Sequence, residues 1–153
     1  KNKFIKEKNN YKNTFFFKKN LSNKFLNNLD LSFIKKYPKS RICLHENINS
    51  KIHEMIIFHE KGTYVEPHFH NKSESLLIIS GKMEVKIYNS TGEVIDSIIL
   101  SQYNKSKLNK IFLYKFEKHV IHSQFFLEDS IFKEVSSGPF KSNNTMKAKF
   151  KNL

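Results

Sequence analysis

The chain has little of what marks several functional classes. Of its 153 residues one is cysteine, Cys43, so no internal disulfide framework can form and a reducing, cytoplasmic setting is expected. There are four glycines, and none falls in a G-x-G-x-x-G or G-x-x-x-x-G-K-[ST] pattern. That removes the dinucleotide and phosphate-loop classes. No apolar run approaches the ~20 residues of a membrane helix. The longest are stretches such as 76–79 and 98–100. The first twenty residues hold no apolar stretch followed by small residues, so no secretory signal is expected there. Arginine is scarce as well: Arg41 stands alone among 27 basic residues.

What the chain does have is positive charge, +13 in all, and aromatic material, including 15 Phe. The charge is unevenly placed. Residues 1–40 carry 11 Lys against Glu7 and Asp30, and residues 141–153 carry four Lys and no acid. The central hundred residues balance 12 basic against 12 acidic side chains. A folded phosphate-tracking surface mixes arginine into a basic patch. Here the excess sits at the two ends and is almost all lysine, which argues against a nucleic-acid-binding core. The apolar content is too high for a disordered chain, and the length suits one domain.

Along the chain, residues 1–20 read as a Lys/Asn-rich leader with one apolar cluster at 15–17, expected to be loose or partly docked. Residues 21–40 read as a short helical segment. Leu21, Phe25, Leu26, Leu29, Phe33 and Ile34 follow helical spacing, Ser22 is an N-cap candidate, and Pro38 closes it. From 41 to 140 the pattern becomes strand-like. Met83, Val85 and Ile87 alternate with Glu84, Lys86 and Tyr88, and the turn Asn89-Ser90-Thr91-Gly92 makes 83–100 a hairpin. Further strands are expected at 52–59, 76–79, 111–116, 120–127 and 131–135, with Gly138-Pro139 as the stop. Short strands without interleaved helices predict an all-β sandwich or barrel. Residues 141–153 read as a basic C-terminal tail.

The chemistry-bearing stretch is 62–74, GTYVEPHFHNKSE. His68 and His70 are two apart, so on a strand their imidazoles leave the same face. A short loop then brings Glu74 onto the next strand, where it shares a face with Leu76 and Ile78. This reading lets the carboxylate meet the imidazoles across the strand pair. Two imidazoles and a carboxylate suit a divalent first-row metal, with Zn, Fe, Mn and Ni all compatible. His119 and His122 are the candidates for a further ligand. They have opposite strand parity. His122 shares its face with Gln124 and Phe126, whereas His119 follows the polar Glu117-Lys118, so His122 is the expected ligand and His119 a turn residue. Tyr64, Gln124 and His45 are expected pocket-lining residues. His53, His59 and Cys43 read as ordinary structural residues.

The spacing Gly62-x5-His68-x-His70-x3-Glu74-x6-Gly81 resembles the first cupin motif at every fixed position. The second cupin motif is present in part. His122 stands in place, while the positions usually held by Pro and Gly read Glu117 and His119. A His at the Gly position requires a left-handed backbone. Among cupins the chain resembles the WbuC family of metalloproteins from O-antigen gene clusters. That resemblance rests on the segment at 21–37, Pro38 through Arg41 before Leu44-His45, KGTYVEPHFH at 61–70, GKMEVKIYNSTGEVI at 81–95, the pair His122-Ser123, and Gly138-Pro139-Phe140. It implies a cupin jelly-roll barrel at 41–140 with an N-terminal helical segment, one metal in the barrel mouth, and surface-polysaccharide biosynthesis as the setting. It also suggests a homodimer.

The resemblance supplies no reaction. The expectations are a metal-dependent sugar isomerase or epimerase, an Fe(II) oxygenase-type cupin, or a metallo-cupin that binds a sugar or nucleotide-sugar, or regulates a partner enzyme, without turnover; nucleic-acid binding through the basic tails is the least favoured alternative.

Overall fold

The computed structural model describes the backbone of residues 4–6 and 14–17, and residues 39–103 and 111–150. Among them run twelve strands: β1 (Phe4–Lys6), β2 (Thr14–Phe17), β3 (Arg41–Cys43), β4 (Ile52–His59), β5 (Tyr64–His70), β6 (Glu74–Ser80), β7 (Lys82–Tyr88), β8 (Val94–Ser101), β9 (Leu113–Phe116), β10 (Ile121–Phe126), β11 (Ser130–Ser137) and β12 (Thr145–Lys147). They form two sheets. One has the order β1-β2-β3-β4-β11-β6-β9 and the other β12-β5-β10-β7-β8. All the described pairs are antiparallel except β2 with β3 and an isolated Leu100–Ile111 bridge. The expected all-β fold is what the chain adopts.

The period-2 alternation carries through to packing. On β7, Met83, Val85 and Ile87 are buried while the residues between them are half-exposed. On β6, Glu74, Leu76 and Ile78 are buried in the same way. The inner faces meet in one core that includes Leu76, Met83, Val85, Leu100, Phe116, Phe126 and Phe132. Each such side chain contributes about 1.5–3 kcal/mol on burial, so apolar contact between the sheets holds the sandwich without a disulfide. Gly81 turns β6 into β7 with φ of 89°. A methyl group there would collide with the Asp129 carbonyl and the backbone of Ser130.

At the two ends of the chain one expectation lies outside the described residues, and two segments hold strands that the sequence pattern does not announce. The helix within 21–40 lies outside the described residues as far as position 38. Within the leader, Phe4–Lys6 and Thr14–Phe17 are strands, and Thr14, Phe15 and Phe16 pair in parallel with Arg41, Ile42 and Cys43. The C-terminal tail is likewise drawn into the sheet. Thr145, Met146 and Lys147 pair with His70, Phe69 and His68 as β12. The sequence pattern at 141–150 is too short and too polar to announce a strand. It forms because β5 has an open edge with unpaired backbone groups to satisfy.

Candidate metal centre

β5 delivers two imidazoles to the interior. His68 stands opposite His122 of β10, and Val65 stands opposite Gln124. β5 therefore advances three residues where β10 advances two, a bulge at Glu66-Pro67. Proline lacks an N–H, so a bulge is a place it can occupy within a sheet. The bulge shifts the parity of the strand: Val65 packs on the core, and Tyr64 is left 51% exposed at the rim.

Glu74 reaches the imidazoles from the opposite direction to the one expected. β5 and β6 belong to different sheets, so the carboxylate crosses the barrel interior rather than a strand pair. Its Oε2 lies 3.3 Å from His70 Nε2, and its Oε1 lies 3.4 Å from His122 Nε2. The ligand atoms of His68, His70 and His122 all lie within 4.8 Å of one another, a group that could hold a metal ion. His122 is fully buried and stacks on Phe116 at 4.0 Å between ring centroids. His119 sits outside on an exposed turn with φ of 68°, the left-handed backbone expected of a residue at that motif position.

Each imidazole is held through Nδ1. His68 Nδ1 lies 2.8 Å from the Glu66 carbonyl and His122 Nδ1 lies 3.0 Å from the Val120 carbonyl. A carbonyl only accepts, so in the neutral rings Nδ1 carries the proton and Nε2 turns a lone pair inward. His122 Nε2 is buried without a hydrogen-bond partner; at 3.4 Å its approach to Glu74 is a contact rather than a made hydrogen bond. His70 Nδ1 lies 3.0 Å from the hydroxyl of Thr145.

The electrostatics suit cation binding. Burial, with the neighbouring His122 second, pushes His68 down to about 4, so the ring is neutral at pH 7. Burial alone would raise Glu74, but the His122 and His70 rings facing its two oxygens outweigh this and hold it at about 2. For His70 burial acts downward, yet the adjacent Glu74 carboxylate prevails and the pKa is raised.

The cluster opens on a cavity of about 740 Å³, within the ~300–1,000 Å³ typical of small-molecule sites. Tyr64, Gln124 and His45 all line it, as do His53, His59 and Glu134. Gln124 is buried. His45 stacks on His53 with centroids 4.1 Å apart. His59 is buried against Phe126 at 4.5 Å. Its pKa is depressed to about 4, first by burial and then by Arg41 and Lys39.

Sequence reading missed three of these residues. His53 and His59 share inward parity with Met55 and Ile57 on β4. Glu134 shares it with Phe132 on β11. The parity signal was present, but which face turns inward depends on pairing. Glu134 lies between Met55 and Leu76 in cross-strand register. Burial first, and the Glu74 carboxylate second, push it up to about 7 against the pull of Arg41 and His70.

A first-row divalent ion fits this donor set: inward-facing imidazole nitrogens, a buried ionised carboxylate, and one buried nitrogen, His122 Nε2, with no hydrogen-bond partner.

Comparison with known proteins agrees with the fold. A family described as a domain of unknown function (DUF6016) matches residues 36–100. No curated protein matches the chain. Among solved structures, the chain resembles CapF bound to the inhibitor 3-isopropenyl-tropolone (TM-score 0.58, 16% identity, 72% of this chain and 32% of that one). It also resembles oxalate decarboxylase from Bacillus subtilis (TM-score 0.53, 22% identity, 70% of this chain and 26% of that one). The chain spans about a quarter to a third of the length of these two neighbours. Both are cupin-fold proteins. With two sheets, antiparallel apart from the β2–β3 pair, closed over a His-rich interior, the chain has the cupin jelly-roll fold.

Proposed function

We propose that the protein is a mononuclear metallo-cupin whose cavity takes a sugar or nucleotide-sugar, a reading that follows from the surface-polysaccharide setting implied by its sequence resemblance to the WbuC family. The observation that carries the metal reading is the convergence of His68, His70 and His122 within 4.8 Å, with both oxygens of Glu74 turned to two of them. In this reading all four are ligands, and the ion is Zn, Fe, Mn or Ni. Such an ion, when bound, polarises oxygens that reach it.

The sugar reading is supported by the resemblance of the sequence blocks quoted above to the WbuC family and by the character of the cavity wall. Gln124, Ser136 and Glu134 offer hydrogen-bonding groups among apolar neighbours. Glu134 is the residue placed to meet a ligand. It lines the cavity from the inner face of β11, with burial and the Glu74 carboxylate raising its pKa to about 7. A carboxyl group in such surroundings can hydrogen-bond a sugar hydroxyl. In an isomerase or epimerase it can also hold the proton moved from a carbon beside a carbonyl.

Two measurements test the reading. Elemental analysis of the wild type beside His70→Ala is expected to show metal in the first and a large loss in the second; equal content in both would overturn the metal assignment. Metal-loaded protein incubated with UDP-glucose and related nucleotide-sugars in D₂O is expected to show binding by saturation-transfer NMR. Solvent deuterium entering the sugar marks turnover, whereas binding without exchange marks a carbohydrate-binding or regulatory module. Absence of any binding would overturn the sugar reading.

A homodimer and a cytoplasmic setting belong to the same proposal. β8 lies at the edge of its sheet and exposes Val94, Ile95 and Ile99, a surface that a second copy would cover. Light scattering of the purified protein checks this. Among the described residues no helix is long and apolar enough to cross a membrane.

A further inference from the structure

We infer that the C-terminal strand β12 is part of the metal centre, with Thr145 as a positioning residue for His70; this rests on the metal reading above. The three imidazoles are not held alike. His68 and His122 are tied by carbonyls two residues upstream, Glu66 and Val120, so each is fixed by its own strand. His70 is tied by a residue 75 positions away, the Thr145 hydroxyl at 3.0 Å. Without β12 nothing else among the described residues holds His70 Nδ1.

The partner's chemistry differs too. A carbonyl can only accept, whereas a hydroxyl donates or accepts. With Nε2 given to an ion, His70 Nδ1–H donates to Thr145 Oγ1. In the metal-free state, where Nε2 lies 3.3 Å from Glu74, the hydroxyl can turn and donate instead. Thr145 thus holds the ring plane in both states. Groups that orient a ligating histidine through its second nitrogen set metal affinity.

β12 is anchored firmly enough to do this. Asn71 N–H donates to the Asn144 carbonyl at 3.0 Å, and Ala148 N–H to the Pro67 carbonyl at 2.9 Å. Lys72 Nζ donates at 2.9 Å to the carbonyls of both Ser137 and Pro139, holding the approach to the strand. Phe150 packs near Tyr88, 5.7 Å between centroids. Lys147 ends β12 opposite His68 of the metal-bearing strand, and its Nζ donates to the Glu66 carboxylate at 2.6 Å.

The test is a Co(II) titration against a chromophoric chelator, with the ligand-field spectrum recorded, for the full-length wild type, Thr145→Val, Thr145→Ser and His70→Ala. Thr145→Val is expected to weaken Co(II) affinity about tenfold, the low end for such residues because this contact is solvent-exposed, and to alter the visible band. Thr145→Ser, which keeps the hydroxyl, is expected to restore both, and His70→Ala to lose tight binding. If wild type and Thr145→Val bind alike with the same spectrum, the inference falls while the metal reading stands. If the wild type binds no cobalt, both fall. Circular dichroism of each variant separates misfolding from a local effect, and rescue by serine is a result that a purely structural loss would not give.

Discussion

His68 on β5 and His122 on β10 face each other across an antiparallel pair, with ring centroids 4.4 Å apart. Two imidazoles this close cannot both be charged at low cost. Burial and His122 together keep His68 neutral near pH 7, which is the form that binds a metal. The pair thus makes the interior both a ligand set and a pH-sensitive point of the fold.

The first prediction concerns acid. His59 and His68 both have folded pKa values of about 4, below the unfolded value of 6.5. Between pH 6.5 and 4 the unfolded chain takes up these protons and the folded chain does not, so stability is full above 6.5 and is lost as pH falls toward 4. At pH 5 the two together are expected to cost the metal-free protein about 2–4 kcal/mol relative to pH 7.5. Urea unfolding at the two pH values checks this, and His59→Phe should remove about half of the difference. A flat profile would contradict the neutral, buried state of these rings.

The second concerns Glu134. Its carboxyl is raised to about 7, so the folded protein retains a proton that the unfolded chain loses near 4.5. That contribution is present at low pH and disappears as pH rises through 7. Glu134→Gln keeps the shape and discards the ionisation. In metal-free protein it is expected to gain about 1–2 kcal/mol over wild type at pH 8 and close to nothing at pH 5. Thermal or urea unfolding at both pH values reads it out. In a nucleotide-sugar assay the same variant should lose ligand binding or exchange without losing metal.

The third concerns the coupling of Glu74 with His122. The His122 and His70 rings hold the Glu74 carboxyl low, so removing His122 leaves that carboxylate buried with less compensation. His122→Leu alone is expected to destabilise metal-free protein by about 1–3 kcal/mol at pH 7. Adding Glu74→Gln should recover part of that loss, giving a coupling energy of about 1 kcal/mol or more in a double-mutant cycle. Strict additivity would mean that the 3.4 Å contact carries no energy.

The fourth concerns Gly81. Gly81→Ala must hold a left-handed φ of 89° and find room beside Asp129 and Ser130. A loss of about 2–4 kcal/mol is expected, from backbone strain and overpacking together. Gly62 also has positive φ, 81°, but nothing lies within 4 Å of a Cβ built there. Gly62→Ala should therefore cost less, about 1 kcal/mol. Denaturant midpoints of the two variants give the comparison.

Local periodicity was enough to place much of the barrel. The alternation at 83–88, the turn at 89–92 and the inward parity of Glu74, Leu76 and Ile78 are consequences of a backbone that points successive side chains to opposite faces. So is the placing of His68 and His70 on one side, and the inward position of His122 against the exposed His119. What parity does not specify is which strands become neighbours. The chain alone could not show that Glu74 crosses the interior from the other sheet, or that a bulge at Glu66-Pro67 leaves Tyr64 at the rim. It could not show that the basic end of the chain becomes a strand holding His70, or that Glu134 lies inside the cavity. Those outcomes depend on pairings between residues tens of positions apart. They were decided by tertiary structure because closing the two sheets had to satisfy the open edge of β5 and bury the apolar faces of β4, β6 and β11 together.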